Sequence, residues 1–178
     1  MVEDESWLKE VFKSKTQNPY EWLEAARRLK ISADIIFSQL KQLELSHPSK
    51  PVERQKQWAF IESYMMLSGF ALENLLKGIY VAENPDKINL EKIDLGSWGY
   101  GGHALVDLNK SIPVEFNQSQ KDLLKELQNF TIWAGRYPLP ISSSKFKEII
   151  FNSDDSEIIN NVFQQLEEQL SSYLQGIK

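Results

Sequence analysis

Ser68-Gly69-Phe70-Ala71-Leu72-Glu73-Asn74-Leu75-Leu76-Lys77-Gly78 decides how this chain is read. It lies in the most apolar helix-like segment, and it sets Glu73 and Lys77 one helical turn apart. A span of residues 64–82 is nearly long enough to cross a membrane. Glu73, Asn74 and Lys77 near its centre make a buried helix of a soluble bundle the cheaper arrangement.

Around this segment the apolar spacing predicts a long helix from Pro51 to about Glu83, stopped by Asn84-Pro85. Trp58, Ile61, Met65, Leu72, Leu75, Leu76 and Ile79 share its main core face. Phe60, Leu67, Ala71, Asn74 and Gly78 form a second face with small residues, suited to close approach by another helix. Gln55, Glu62, Met66, Gly69, Glu73, Lys77 and Tyr80 share a third. A helix that is apolar on two sides belongs in the middle of a bundle.

The preceding helix starts at Asn18, an N-cap followed by Pro19, and ends near Ser46. Leu23, Ala26, Leu29, Ala33, Ile36, Phe37, Leu40 and Leu43 recur along it at intervals of three and four. Upstream, residues 1–17 read as a weakly structured helix or arm. Residues 85–118 are irregular and rich in turn signals, with Gly96, Gly99, Gly101 and Gly102. A short helix is expected to begin at His103. Ser119 and Asp122 resemble a capping box for the next helix, which Gly135 ends as a C′ residue. The loop after Tyr137 is not expected to be helical. A last helix starts near Asp154, and Ile158, Val162, Phe163, Leu166, Leu170, Tyr173 and Leu174 share one of its faces. No segment alternates with period two, so no sheet is expected. The fold class is all-α: a four- to five-helix up-and-down bundle with a Gly-rich insertion between the third and fourth helices.

A chain of 178 residues is most simply one domain. At this size about 70 % of the unfolded surface can be buried. With no cysteine, thiolate zinc sites, redox motifs and cysteine nucleophiles are excluded. The net charge of −5 argues against a broadly basic nucleic-acid face, though not against a local patch. The acidic N-terminus is unlike a signal peptide, so cytoplasmic residence is expected, with no membrane partner.

The candidate binding residues are Glu73, Lys77, His103, Arg136 and Tyr137. An exposed Glu73–Lys77 pair would contribute only about 0.2–0.5 kcal/mol. The alternative is that the two form the floor of a polar cleft, since Met66, Phe70 and Tyr80 lie on or near their stripe. His103 is one of two histidines. It either packs at a helix start or acts as an acid or base, for which Asp107 is the only nearby partner in sequence. His47 lies in a linker and reads as solvated. Arg136 either binds the last helix carbonyls and stacks on Tyr137 or Trp133, or holds a phosphate. The two histidines lack carboxylates at ligand-like spacing, so no metal and no cofactor is expected. Phosphate-binding loops, dinucleotide fingerprints and nucleophile elbows are absent as motifs. Gly99-Tyr100-Gly101-Gly102 lacks the preceding strand such a fold needs.

Gly69 to Gly78, Gly102-His103-Ala104-Leu105 and Gly135-Arg136-Tyr137-Pro138 occur in an order that resembles the HEPN family of helical bundles. The resemblance spans roughly residues 18–175. It implies a four- or five-helix bundle, frequently dimeric. It also implies either metal-independent ribonuclease activity, as in toxin–antitoxin and defence settings, or non-catalytic binding of RNA, nucleotides or protein partners. The family's nucleases carry Arg-x(4–6)-His. Here Ile141, Ser142 and Ser143 follow Arg136 where the histidine would stand. The expectation is therefore a homodimeric binding module without the usual ribonuclease motif. The alternatives are a divergent ribonuclease using His103 and Arg136, and a purely structural subunit.

Overall fold

The computed structural model describes residues 5–46, 49–88, 102–140, 142–145, 151–152 and 154–176. These form six α-helices and, among the described residues, no strand. They are α1 (Glu5–Thr16), α2 (Pro19–Leu45), α3 (Pro51–Glu83), α4 (Leu105–Lys110), α5 (Gln118–Asn129) and α6 (Asp155–Gly176). The all-α bundle is as the sequence implies. Of the Gly-rich insertion, Gly96, Gly99 and Gly101 lie outside the described residues, as does His47.

α3 is the axis. It packs on α2, α4, α5 and α6. From Ala71 to Ile79 only Asn74 escapes full burial. The three stripes read from the sequence therefore all face neighbours along this half of the helix. The N-terminal half differs. Trp58, expected on the main core face, is 50 % exposed. Met66 packs near Gly135, Gly69 on Thr131 and Gly78 on Leu170, so α5 and α6 flank the later turns of α3.

Two close approaches explain glycines of the opening segment. A Cβ on Gly69 would lie 2.6 Å from Thr131 Cγ2, and one on Gly78 would lie 2.7 Å from Leu170 Cδ2. Only a residue without a side chain lets those helices come so near.

Helix starts differ from expectation by a few residues. The α5 capping box is Asn117 with Gln120, not Ser119 with Asp122. Asn117 Oδ1 accepts from Gln120 N and Gln120 Oε1 accepts from Asn117 N, each at 2.9 Å. Asn117 satisfies this geometry because it stands at the true end of the extended segment. At α6, Asn152 N donates to Asp155 Oδ2 at 2.9 Å. Ile159, missed in the apolar face of α6, is fully buried, beside Val162, Phe163, Leu166 and Leu170. Residues 143–145, read as loop, form a single 3₁₀ turn. The arm at the N-terminus is a formed helix, α1, although Trp7 and Leu8 on it are exposed.

α5 does not end at Gly135 by a left-handed cap. It runs on into a π-helical turn, Phe130–Ala134, and Gly135 keeps right-handed geometry at φ −81°. Glycine is required there for a different reason. A Cβ would stand 2.8 Å from Met66 Cβ and Sδ.

Candidate functional site

The centre of the site is Glu73. It is 5 % exposed, as is Lys77 one turn further along α3. Lys77 Nζ donates to Glu73 Oε1 at 2.6 Å. The pair is thus buried, and the small energy of an exposed helical pair does not describe it. Taking two charges out of water costs several kcal/mol each, about as much as their attraction returns. Breaking such a pair by removing one partner is strongly destabilising, which holds the two side chains together. Lys77 Nζ also lies 6.0 Å from the centre of the Trp22 ring on α2.

The second carboxylate oxygen faces His103. Glu73 Oε2 is 2.9 Å from His103 Nδ1. The sequence neighbour Asp107, considered as a partner for this histidine, instead accepts from Lys110 Nζ at 2.9 Å. A carboxylate can only accept, so the hydrogen sits on Nδ1 and the lone pair of the neutral ring on Nε2. The ring meets Phe70 edge-on at 5.8 Å between centroids. The His103 side chain keeps 35 % exposure while its carboxylate partner keeps 6 %. The Nδ1 edge of the ring is thus pinned to the floor, on a side chain that is itself partly exposed.

The turn before α4 makes this possible. Gly102 takes φ +90°, in the left-handed region where glycine is favoured. His103 does not open the helix, as the sequence implied. It stands in the turn, two residues before Leu105, and Ala104 occupies the N-cap position.

Thr131, fully buried, connects this turn to the end of α5. Its hydroxyl reaches Gln128 O at 3.1 Å and His103 O at 3.4 Å. Its own carbonyl accepts from Arg136 Nη2 at 2.7 Å, and Ile132 O accepts from the same nitrogen at 2.8 Å. Arg136 thus ties off carbonyls at the end of the π-helical turn, and it lies over the Tyr137 ring at 5.6 Å. Tyr137 is itself 58 % exposed.

The five candidate residues fall into two groups. Glu73, Lys77 and His103 are in direct contact. Arg136 and Tyr137 form a second pair, joined to His103 through Thr131. Among the described residues no hydrogen bond or ion pair links Arg136 to Glu73, Lys77 or His103. Thr131 and Trp22 are the parts that sequence reasoning did not place near the site, whereas Phe70 already reads from the sequence as lying beside the Glu73–Lys77 stripe. Its i−3 spacing from Glu73 is that signal.

A separate acidic seam lies where α5 meets α6. Burial, with the charge of Asp155 as a second cause, pushes the Glu126 carboxyl up to about 7. Burial also raises Asp155, while the hydrogen bond from Asn152 opposes that shift. Among the described residues no group of three or more His, Asp or Glu side chains could hold a metal ion. No described helix is long and apolar enough to cross a membrane.

Compared with known proteins, the chain matches no family model, no curated protein and no solved structure.

Proposed function

We propose that the chain is a HEPN-like binding module, homodimeric and cytoplasmic, that takes RNA or a nucleotide and presents His103 to it. A cognate protein is the remaining partner class of the same reading. The observation that carries the proposal is Glu73 bridging Lys77 and His103. It supports an imidazole whose orientation is fixed at Nδ1 and whose side chain is partly exposed. Such a ring can stack on an unpaired base and hydrogen-bond to a base edge or phosphate. The guanidinium of Arg136, by contrast, is committed through Nη2 to helix carbonyls, which favours a positioning role for it.

The test is fluorescence anisotropy with a labelled short single-stranded RNA and a labelled adenine nucleotide. His103→Ala is expected to weaken binding about tenfold, the loss of one base-stacking contact. Unchanged affinity in His103→Ala, or no binding by the wild type, removes the reading. Light scattering over a concentration series tests the dimer, and a constant monomer mass removes that part.

The divergent ribonuclease is the second reading, favoured by a partly exposed His103 whose Nδ1 is held by a carboxylate. It needs proton transfer at the 2′-hydroxyl and a cation at the phosphate. RNA cleaved by pure protein in EDTA, and left intact by both His103→Ala and Arg136→Ala, would replace the binding module with a nuclease.

A further inference from the structure

We propose that His103 is a phosphoryl-accepting residue, its Nε2 taking the phosphoryl group of a small-molecule phosphoramidate while Glu73 stabilises the product. The inference stands on the Glu73–His103 geometry and does not depend on RNA or nucleotide binding.

Nδ1 is engaged at 2.9 Å by Glu73, so its hydrogen points into the bundle and only Nε2 offers a lone pair. Nε2 has no hydrogen-bond partner among the described residues. The ring cannot readily turn away. Phe70 flanks it, Thr131 approaches its backbone carbonyl, and the carboxylate that grips it is itself gripped by Lys77 at 2.6 Å. The side chain is 35 % exposed, so it is not sealed in the core.

The step balances without another reactant. The Nε2 lone pair attacks phosphorus, and the phosphorus–nitrogen bond of zwitterionic phosphoramidate breaks. Ammonia leaves with that bond's electron pair. No proton moves, and His103 keeps its hydrogen on Nδ1. The ring has gained a positive charge, which faces the Glu73 carboxylate across an existing hydrogen bond. A buried carboxylate already in place stabilises the developing imidazolium without reorganisation.

The other histidine supplies an internal reference. The folded full-length chain is treated with potassium phosphoramidate. Modification at His103 and His47 is followed by peptide mass spectrometry under alkaline conditions, and the isomer is identified by phosphorus NMR. His103 is expected to react about tenfold faster than His47, the factor one charge-assisted hydrogen bond supplies, and to give the Nε2 product. The same chain in urea should show equal rates. Glu73→Gln, if folded by circular dichroism, should lose the advantage of His103 and shorten the lifetime of its phosphoryl group. His103 reacting no faster than His47 in the folded chain, or giving the Nδ1 product, overturns the proposal. So does an advantage that persists in urea. The urea comparison uses only wild-type protein, so the result does not depend on the variant folding.

Discussion

Glu73 joins two kinds of constraint in one side chain. Its carboxylate balances a buried ammonium and orients a half-exposed imidazole, so replacing it disturbs stability and site together. Glu73→Ala is expected to cost about 3–5 kcal/mol, because it breaks a buried ion pair and the hydrogen bond to His103 at once. Chemical denaturation measures this, and the double change Glu73→Leu with Lys77→Met should recover most of the loss. A cost near zero in the single variant would mean that Lys77 reaches water. The glycines act at the same scale. Gly69→Ala places a methyl 2.6 Å from Thr131 Cγ2, and overpacking of this kind costs about 1–3 kcal/mol. Thr131→Ser removes the opposing methyl and keeps the hydroxyl, so the double variant should be more stable than Gly69→Ala alone. Equal thermal midpoints for the two would refute that contact. Gly69, Glu73 and Lys77 could be named from the sequence. That Gly69 serves Thr131, and through it the turn of His103, could not, because residues 62 positions apart share no local pattern.

Helix ends hold most of the differences between expectation and structure. Ser119 and Asn117 are both good N-cap residues by type, but the sequence pattern pointed only to Ser119. The reciprocal bonds of Asn117 and Gln120 decide the start of α5, so Asn117→Ala should cost about 1 kcal/mol while Ser119→Ala changes little. Urea midpoints of the two variants test the assignment. At the other end, Arg136→Ala frees two carbonyls of the π-helical turn and is expected to lower stability by about 1 kcal/mol. Because Thr131 lies between Arg136 and His103, the change should loosen the His103 turn, read as faster amide exchange there. The seam between α5 and α6 adds a pH dependence. The folded-state pKa of Glu126 is raised, so this carboxyl binds its proton more tightly folded than unfolded. Its stabilising contribution is complete below its unfolded value of about 4.3 and is lost as pH rises through about 7. Thermal midpoints followed from about pH 4 to about pH 8 should fall less in Glu126→Gln than in wild type. Identical slopes would show that Glu126 is solvated in the folded state.

At the scale of the whole molecule, α3 is both scaffold and site. Burial on every side fixes Glu73 and Lys77, and the elements that meet α3 bring His103 and Thr131 to them. α1 is a contrast: exposed Trp7 lies outside the bundle core, so Trp7→Ala is expected to shift folding stability by no more than about 0.5 kcal/mol. A larger loss by denaturation would show that α1 is part of the cooperative unit. The all-α class, the central helix, the long helix before it and the one-turn spacing of Glu73 and Lys77 are legible in residue order alone. Each is a matter of local periodicity or of one helical turn, and helical spacing is fixed by backbone geometry. Only the tertiary structure decided that the pair is buried, that His103 rather than Asp107 completes it, and that Arg136 serves the end of α5. Burial and long-range partnership depend on how close two helices come. That distance is set here by which neighbour leaves room, at Gly69, Gly78 and Gly135, and no local pattern of residues specifies it.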